Sequence, residues 1–330
     1  MNLPATMQAV VANGATAAEL TIATVPAPQP GVDELVVAVA ASALNRADVL
    51  QRRGLYPPPT GASPIMGLEV AGTVVHPAGR WHIGDRVMAV VTGGGYGQYA
   101  TVPAAEAMAV PAGMAFTAAA ALPEAYLTAW LNLVTMGGLA AGDHVFIHAG
   151  ASGVGTAAIQ LVTAWGATAH SAAGDDRRRD VCRELGARYV GDSRAGGHAA
   201  AIKAQTAGRG VRLVLDMLGA PAWDDNCAML AHYGTLLLLG FMAGAKGTVD
   251  LGPVLTKSLT IKGTTLRRTP AAAKAALVAA ADAWLAPRFA DGTLRPLVDR
   301  VYSVSEAAAA HAYMESNAHI GKIVLSHDWK

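Results

Sequence analysis

The sequence predicts an α/β protein of two domains, a small distorted β-barrel and a doubly wound parallel sheet. The first observation is length, since 330 residues are enough for about two domains of ordinary size. The second is that the first third of the chain contains short strands separated by glycine and proline turns. The third is a change near Pro123, after which strands and helices alternate, as in parallel sheets covered on both faces.

In the first third, short apolar runs between turns predict the strands, which are 7–11, 35–41, 70–76, 86–91 and 98–102. Residues 45–54 fit one or two turns of helix, and Pro57–Pro59 require extended backbone after it. This pattern resembles a distorted barrel more than a layered α/β unit.

In the rest of the chain the helices are predicted at 125–136, 153–165, 177–185, 222–230 and 271–284. The strands between them are predicted at 144–148, 168–172, 213–216, 234–239 and 258–263. A last strand at 323–325 is expected to return to the first domain. The predicted domains are therefore 1–122 with 265–330, and 123–264.

Composition excludes several classes of protein. A formal net charge of +1 argues against a nucleic-acid binder that neutralises phosphates, and 52% hydrophobic residues exclude a disordered chain. The two cysteines, Cys182 and Cys227, exclude a disulfide scaffold, and a reducing cytoplasm is expected. Between Glu106 and Asp143 the only charge is Glu124, but prolines and glycines interrupt this segment, so burial is expected rather than membrane insertion.

The most informative segment is a glycine-rich turn that contains Gly150, Gly153 and Gly155. An apolar strand precedes it and a helix follows, which is the context that a dinucleotide-binding turn requires. Glycine allows a pyrophosphate close to the backbone, and the helix N-terminus offers N–H groups to the anion. The spacing differs from G-x-G-x-x-G, and a purely structural turn is the alternative.

The end of the second strand of this domain should lie near the adenosine ribose. Residues 174–179 read Gly-Asp-Asp-Arg-Arg-Arg, so both signs of charge are present. An acidic residue favours NAD and a basic one accepts the 2′-phosphate of NADP. The pattern alone leaves the cofactor open, and Arg177–Arg179 could instead be the solvated start of a helix.

Segments 43–48, 123–129, 148–161, 311–315 and 320–325 together give the chain a resemblance to a known family. It resembles the zinc-independent quinone oxidoreductase, or zeta-crystallin-like, branch of the medium-chain dehydrogenase/reductase superfamily. Within that branch it is most similar to the tumour-suppressor-inducible quinone oxidoreductase type. The resemblance implies a GroES-like substrate domain, a Rossmann domain and a homodimer that forms through the Rossmann sheet edges.

The resemblance also implies NADPH as cofactor, with NADH as the alternative. The acid that selects NAD in relatives falls on Ala173, and the lysine that binds the 2′-phosphate falls on Arg177. A tyrosine of the family falls on Ser193 and a serine falls on Asp175, whose charge would repel a 2′-phosphate. The expected partner is a small-molecule quinone or activated carbonyl compound, with no nucleic acid and no membrane.

The turn and the resemblance together predict a set of cofactor-binding residues. They are Asn45, Thr128, Gly150, Ser152, Gly153, Val154, Gly155, Gly174, Arg177, Ser193, Gly240, Phe241, Met242, Thr265, Leu266 and Asn317.

No metal site is expected. The three positions that hold catalytic zinc in zinc-dependent relatives fall on Asn45, Leu68 and Glu124, which do not form the ligand set that zinc prefers. Without a Lewis acid, alcohol oxidation is difficult, whereas an electron-poor acceptor can be reduced with only orientation and a hydrogen bond to its oxygen. Tyr56, with Asn45 beside it, is the predicted catalytic group. The alternative is that Tyr56 packs against Pro57–Pro59.

Three functions are therefore open. The first is an NADPH-dependent quinone reductase that acts by hydride or one-electron transfer. The second is an NADPH-dependent reductase of activated C=C bonds in enals, enones or enoyl thioesters. The third is a non-catalytic NADPH-binding protein.

Overall fold

The computed structural model describes residues 3–13 and 19–329, and the chain divides into two compact units. Unit 1 comprises Met1–Glu124 and Arg267–Lys330, and unit 2 comprises Ala125–Leu266. Unit 2 is therefore one continuous segment inserted into unit 1.

The strands are β1 Thr6–Asn13, β2 Glu19–Pro26, β3 Glu34–Ala43, β4 Glu69–His76, β5 Arg86–Val90, β6 Tyr99–Pro103, β7 Met108–Ala109, β8 His144–Ile147, β9 Thr168–Ala173, β10 Tyr189–Asp192, β11 Val211–Asp216, β12 Leu230–Leu238, β13 Thr260–Gly263, β14 Val298–Ser303 and β15 Lys322–Ser326. The helices are α1 Arg46–Arg52, α2 Phe116–Ala119, α3 Pro123–Trp130, α4 Gly153–Ala164, α5 Asp176–Glu184, α6 Ala199–Gln205, α7 Trp223–Met229, α8 Gly252–Thr256, α9 Ala271–Ala290 and α10 Ala307–Glu315.

Unit 1 contains a seven-stranded, mostly antiparallel sheet in the order β14-β15-β3-β4-β5-β7, with β6 also paired to β3. β1 and β2 form a separate antiparallel pair. The inward-facing residues of β3–β6, such as Leu35, Val37, Val70 and Val87, form an apolar core that excludes water. As predicted, the final strand β15 returns to this unit, where it pairs antiparallel with β3.

Unit 2 contains a six-stranded sheet in the order β10-β9-β8-β11-β12-β13, and every neighbouring pair is parallel. The central strands β8 and β11 are apolar along almost their whole length, as strands covered on both faces must be. This confirms the predicted α/β class and the doubly wound parallel sheet.

Several elements were not predicted or end elsewhere than predicted. β2, β10, α6, β14 and α10 are absent from the sequence prediction, because they are short, partly exposed or so rich in alanine that they lack apolar periodicity. The helix predicted at 125–136 is α-helical only to Trp130 and continues as a π-helix over Leu131–Met136. α9 passes through Pro287 and ends at Ala290, six residues beyond the predicted end at Trp284.

Among the residues that the structure describes, no helix has both the length and the hydropathy to cross a membrane. The weakly charged segment 106–143 is divided among β7, α2, α3 and the π-helix.

Candidate functional site

Most of the predicted cofactor-binding residues of unit 2 lie where strands of the parallel sheet end. The carboxyl ends of parallel strands share one edge of a sheet, and ligands of such folds bind along that edge. The residues on it are 150–155 after β8, Gly174 and Arg177 after β9, Ser193 after β10, Gly240–Met242 after β12 and Thr265–Leu266 after β13. Thr128 lies instead on α3, where it is buried.

The turn after β8 requires glycine at two positions. A Cβ atom on Gly150 would lie 2.0 Å from Ser171 Oγ, and one on Gly155 would lie 2.3 Å from the carbonyl oxygen of Ala149. Both distances are far below van der Waals contact, so only glycine allows α4 to begin this close to the strand. Ser152 caps α4 by accepting a hydrogen bond from the Gly155 N–H at 3.0 Å. The turn therefore presents the positive end of a twelve-residue helix, which fits a pyrophosphate.

The charges after β9 are arranged in favour of a second phosphate. The Asp175 carboxylate caps α5 by accepting from the Arg178 N–H at 2.9 Å, and it forms an ion pair with the Arg178 guanidinium. These contacts, the backbone hydrogen bond first, hold the pKa of Asp175 below its usual value. Arg179 pairs with Asp176 and Asp192. The repulsion expected from Asp175 is thus offset by its own ion pair.

Arg177 differs from the two arginines that follow it. Its side chain is exposed in the first turn of α5, and within residues 3–13 and 19–329 it forms no ion pair. Ser193 is close by, since a Cβ atom on Gly174 would lie 3.8 Å from Ser193 Oγ. The strand ends of β9 and β10 therefore place the Ser193 hydroxyl beside Gly174, and Arg177 follows three residues later in the sequence.

The loops after β11 and β12 are joined by backbone hydrogen bonds. The Met242 N–H donates to the Met217 carbonyl at 2.9 Å and the Ala243 N–H to the Leu218 carbonyl at 3.0 Å. The side chains of Phe241 and Met242 are 56% and 51% exposed. Both residues are therefore accessible at the carboxyl edge of the sheet.

In unit 1, Asn45 belongs to a buried polar network. Its Nδ2 donates to Glu69 Oε1 at 2.8 Å, and its Oδ1 accepts from Lys322 Nζ at 2.7 Å. Lys322 Nζ also contacts Glu69 Oε1 at 2.7 Å and the Leu44 carbonyl at 2.7 Å. All three hydrogen-bond donors of the ammonium group are therefore used inside the protein, and the Asn45 amide is held in one orientation.

Two further carboxyl groups adjoin this network. Asp48 is fully buried, and burial raises its pKa to about 6 although the Asn45 and Gly67 N–H groups donate to it. The N–H of Glu124 donates to Glu69 Oε2 at 2.9 Å. Burial, and then the nearby Glu69 carboxylate, raise the pKa of Glu124 to about 8. Three carboxyl groups thus share one lysine, so Glu124 retains its proton at neutral pH.

Tyr56 has the properties of a hydrogen-bond donor. The Arg267 guanidinium lies 5.2 Å from the centre of its ring and is fixed by donating to the Thr92 carbonyl at 2.9 and 2.6 Å. Burial raises the pKa of Tyr56 and the Arg267 charge partly opposes this rise. Within the described ranges the Tyr56 hydroxyl has no hydrogen-bond partner, whereas the Asn45 amide is engaged on both atoms.

Asn317 follows α10 in the left-handed region, at φ 55°. Its Oδ1 accepts a hydrogen bond from Arg46, which also donates to the Met314 carbonyl at 3.2 Å. The structure thus places Asn317 next to Arg46, which follows Asn45 in the sequence and holds the Asn317 side chain.

The three positions that align with zinc ligands in relatives are occupied differently here. Asn45 and the Glu124 backbone are both bound to Glu69, and Leu68 is buried in the apolar core. In the described part of the chain, no group of three or more His, Cys, Asp or Glu side chains is arranged to hold a metal ion.

Two family models match the chain, one in each unit. Residues 31–112 match the alcohol dehydrogenase GroES-like domain and residues 153–282 match the zinc-binding dehydrogenase family. The chain belongs to the medium-chain dehydrogenase/reductase superfamily. The GroES-like and Rossmann assignments are thereby confirmed. The range 153–282 contains none of the positions Asn45, Leu68 and Glu124.

Curated relatives within the superfamily include large mycobacterial synthases. The chain is 34% identical over 310 residues to a phenolphthiocerol/phthiocerol polyketide synthase of Mycobacterium tuberculosis, covering 90% of this chain and 14% of that protein. It is 38% identical over 214 residues to phthioceranic/hydroxyphthioceranic acid synthase of the same species, covering 64% of this chain and 10% of that protein. The chain therefore spans only about one seventh of the length of the first of these relatives.

Solved structures resemble the chain along nearly its whole length. A mycobacterial protein complexed with NADPH has 29% identity and a TM-score of 0.86, covering 97% of this chain and 100% of the other. A mycobacterial quinone oxidoreductase has 28% identity and a TM-score of 0.84 with the same coverage. The CurK enoyl reductase has 27% identity and a TM-score of 0.84, covering 98% and 99%. Both acceptor classes considered from the sequence thus occur among its structural relatives.

Sequence reasoning missed several residues that shape these regions. Lys322 lies in one of the matching segments without a role, Glu69 directly follows the zinc-ligand position Leu68, and Arg267, which lies over Tyr56, was not considered. The one available signal was that Glu69 and Lys322 are charged residues at the starts of apolar strands, where a buried charge must be paired.

Proposed function

We propose that this chain is an NADPH-dependent reductase of electrophilic carbonyl compounds, in which Arg177 selects NADPH over NADH. The observation that carries this proposal is that Arg177 forms no ion pair within the described ranges and follows β9, the strand next to the one that leads into the glycine turn. A solved relative that matches 97% of the chain binds NADPH. When bound, NADPH supplies the reducing equivalents, two electrons and a proton in the case of hydride transfer.

The groups of the chain then have distinct roles. The first turn of α4, capped by Ser152, binds the pyrophosphate through backbone N–H groups. Arg177, with Ser193, binds the 2′-phosphate. The Tyr56 hydroxyl donates a hydrogen bond to the carbonyl oxygen of the acceptor, which gains negative charge on reduction. The Asn45 amide is bound to Glu69 and Lys322, so it shapes the site and does not donate a second hydrogen bond to the acceptor.

The test is a binding titration of NADPH and NADH with the wild type and with Arg177→Ser. The wild type should prefer NADPH by about tenfold or more, which corresponds to about 1.4 kcal/mol, and the variant should lose that preference. Arg178→Ser is the matched control because Arg178 is already paired with Asp175. A wild type that prefers NADH by tenfold would contradict the role of Arg177.

The first candidate acceptor is a quinone, and we propose that the chain belongs to the zinc-independent quinone oxidoreductase branch, near the tumour-suppressor-inducible type. Similarity to a solved quinone oxidoreductase supports this choice. The domain limits proposed for that branch are 1–122 with 265–330, and 123–264.

An enoyl thioester is the second candidate acceptor. It is favoured by the polyketide synthases among the relatives and by the similarity to an enoyl reductase. NADPH oxidation measured with a panel of ortho-quinones, enones and enoyl thioesters distinguishes the candidates. Binding of NADPH without turnover on any acceptor would instead support a non-catalytic role.

We include a homodimer in this proposal, with β13 at the interface. β13 is an outer strand of the unit 2 sheet and its Ile261 is 38% exposed. Leu251 and Leu255, in the segment that precedes β13, are 63% and 83% exposed. Leu255→Lys should convert a dimer to a monomer in light scattering. Leu55→Lys, at an exposed leucine of unit 1, should leave the dimer intact. A wild type that is monomeric at all concentrations would contradict this interface.

A further inference from the structure

Three buried polar side chains form a continuous hydrogen-bonded chain inside unit 2. His148 Nε2 lies 2.6 Å from Asn226 Oδ1, and Asn226 Nδ2 lies 3.1 Å from Asp216 Oδ2. His148 is 3% exposed, and Asn226 and Asp216 are fully buried. The three residues come from the end of β8, from α7 and from the end of β11, respectively. None of the three residues has a part in the reaction proposed for this protein.

The direction of each hydrogen bond in this chain is fixed. The Asp216 carboxylate also accepts from the Leu218 N–H at 2.7 Å and from the Gly219 N–H at 3.2 Å. Burial raises the pKa of Asp216, while His148 and these N–H groups oppose the rise, so donors surround the carboxylate. The Asn226 amide must therefore present its NH₂ to Asp216 and its oxygen to His148. His148 in turn carries a hydrogen on Nε2.

The two ends of this chain reach different loops. His148 directly precedes the glycine turn, which begins at Ala149. At the other end, Asp216 holds the backbone of Leu218 and Gly219, the latter at φ 92°. That segment is joined by hydrogen bonds to Met242 and Ala243 in the loop after β12. Asn226 thus links the turn after β8 with the loops after β11 and β12.

We propose that Asn226 is a positioning residue that sets the spacing between the pyrophosphate turn and the loops that hold the nicotinamide half of NADPH. This inference rests on the proposed function, because it assumes that these loops bind the two halves of one cofactor. Asn226 does not touch the cofactor and acts through His148 and Asp216. Buried, fully satisfied polar networks of this kind fix one arrangement of the groups around them.

The test uses Asn226→Asp, which has the same size and, when it is ionised, offers no hydrogen atom to Asp216. Two carboxylates would then face each other, and the loops at either end of the chain would separate. NADPH affinity should fall by about tenfold or more. Affinity for 2′-AMP, which carries only the adenosine and 2′-phosphate, should stay within about twofold of the wild type. The strand ends of β9 and β10 are not part of the hydrogen-bonded chain of His148, Asn226 and Asp216.

A double variant distinguishes positioning from a general loss of structure. Asp216→Asn combined with Asn226→Asp exchanges the two groups, so that an amide at position 216 donates to a carboxylate at position 226, which still accepts from His148. NADPH affinity should recover to within about threefold of the wild type. Thr206→Val removes two other buried hydrogen bonds of unit 2, to the Ile202 carbonyl and from the Gly210 N–H, and should leave both affinities unchanged.

Each outcome decides the question. The inference is overturned if Asn226→Asp keeps wild-type NADPH affinity, or if it weakens NADPH and 2′-AMP equally. If the single variant does not fold, a folded double variant with NADPH affinity still reduced tenfold also overturns it. A wild type that binds no NADPH defeats the proposed function, and this inference with it. Unchanged affinity in Asn226→Asp defeats this inference alone.

Discussion

Units 1 and 2 build their functional regions from different parts of the chain. In unit 1 the orientation of Asn45 depends on charged side chains, Glu69 and Lys322, that are buried together. In unit 2 the backbone itself forms the turn after β8, because a Cβ atom at Gly150 or Gly155 would collide with its surroundings. A buried charged network is sensitive to the loss of one charge and to pH, whereas the close approach within the glycine turn is sensitive to added volume.

The largest effect is expected from breaking the charged network. Lys322→Met leaves the Glu69 carboxylate buried without its cation, which should lower the free energy of unfolding by about 3–5 kcal/mol in urea denaturation. Lys246→Met, at an exposed lysine of unit 2, should change it by less than about 0.5 kcal/mol. A loss below about 1 kcal/mol for Lys322→Met would show that the network is less tightly coupled than its distances indicate.

The second effect concerns the backbone turn. Gly155→Val places a side chain where even a Cβ atom would be 2.3 Å from the Ala149 carbonyl, so α4 must move away from the strand. NADPH affinity should fall by about 100-fold or more in a fluorescence titration. Gly263→Ala is the matched control, because the added methyl group has no atom within 4 Å. Wild-type affinity in Gly155→Val would rule out the turn as the pyrophosphate site.

The smallest effect is the pH dependence of folding stability that Glu124 of unit 1 contributes. The pKa of Glu124 is raised from 4.5 to about 8 in the folded protein. Between these two pH values the folded protein keeps a proton on Glu124 that the unfolded chain has released. Folding stability therefore falls as pH rises from 4.5 through 8. The groups that set this pKa are Glu69 and Asp48, which raise it, and Lys322 and Lys274, which lower it.

Glu124→Gln removes this titration. Between pH 6 and pH 9 the free energy of unfolding should fall by about 1–2 kcal/mol less in the variant than in the wild type. Thermal unfolding across that range measures the difference. Glu19→Gln, at an exposed residue of β2, should follow the wild-type profile. Parallel profiles for Glu124→Gln and the wild type would mean that Glu124 is ionised throughout.

The same contrast explains what the sequence could predict. The glycine turn is local, since Gly150 and Gly155 lie within one strand–turn–helix unit, and its position and context were correctly predicted. The parallel order of the strands then brings Gly174, Ser193 and Gly240 to the same edge.

The network of unit 1 was not predictable in this way. Asn45 and Lys322 lie 277 positions apart, and their contact depends on the pairing of β15 with β3. The chain from His148 through Asn226 to Asp216 was missed for a similar reason. A polar residue in α7 gives no sign from sequence of which strand ends it will join.

The pairing of β15 with β3 also bears on how the protein is made. Unit 2 is continuous, so all of it is synthesised before Arg267, and it can fold while the rest of unit 1 is being made. Unit 1 has to wait for residues 322–326, which supply both a strand and the only cation bound to Glu69 in the described part of the chain. Until then the Glu69 carboxylate has no counter-charge, so a stalled or shortened polypeptide should expose unit 1, but not unit 2, to chaperones and proteases.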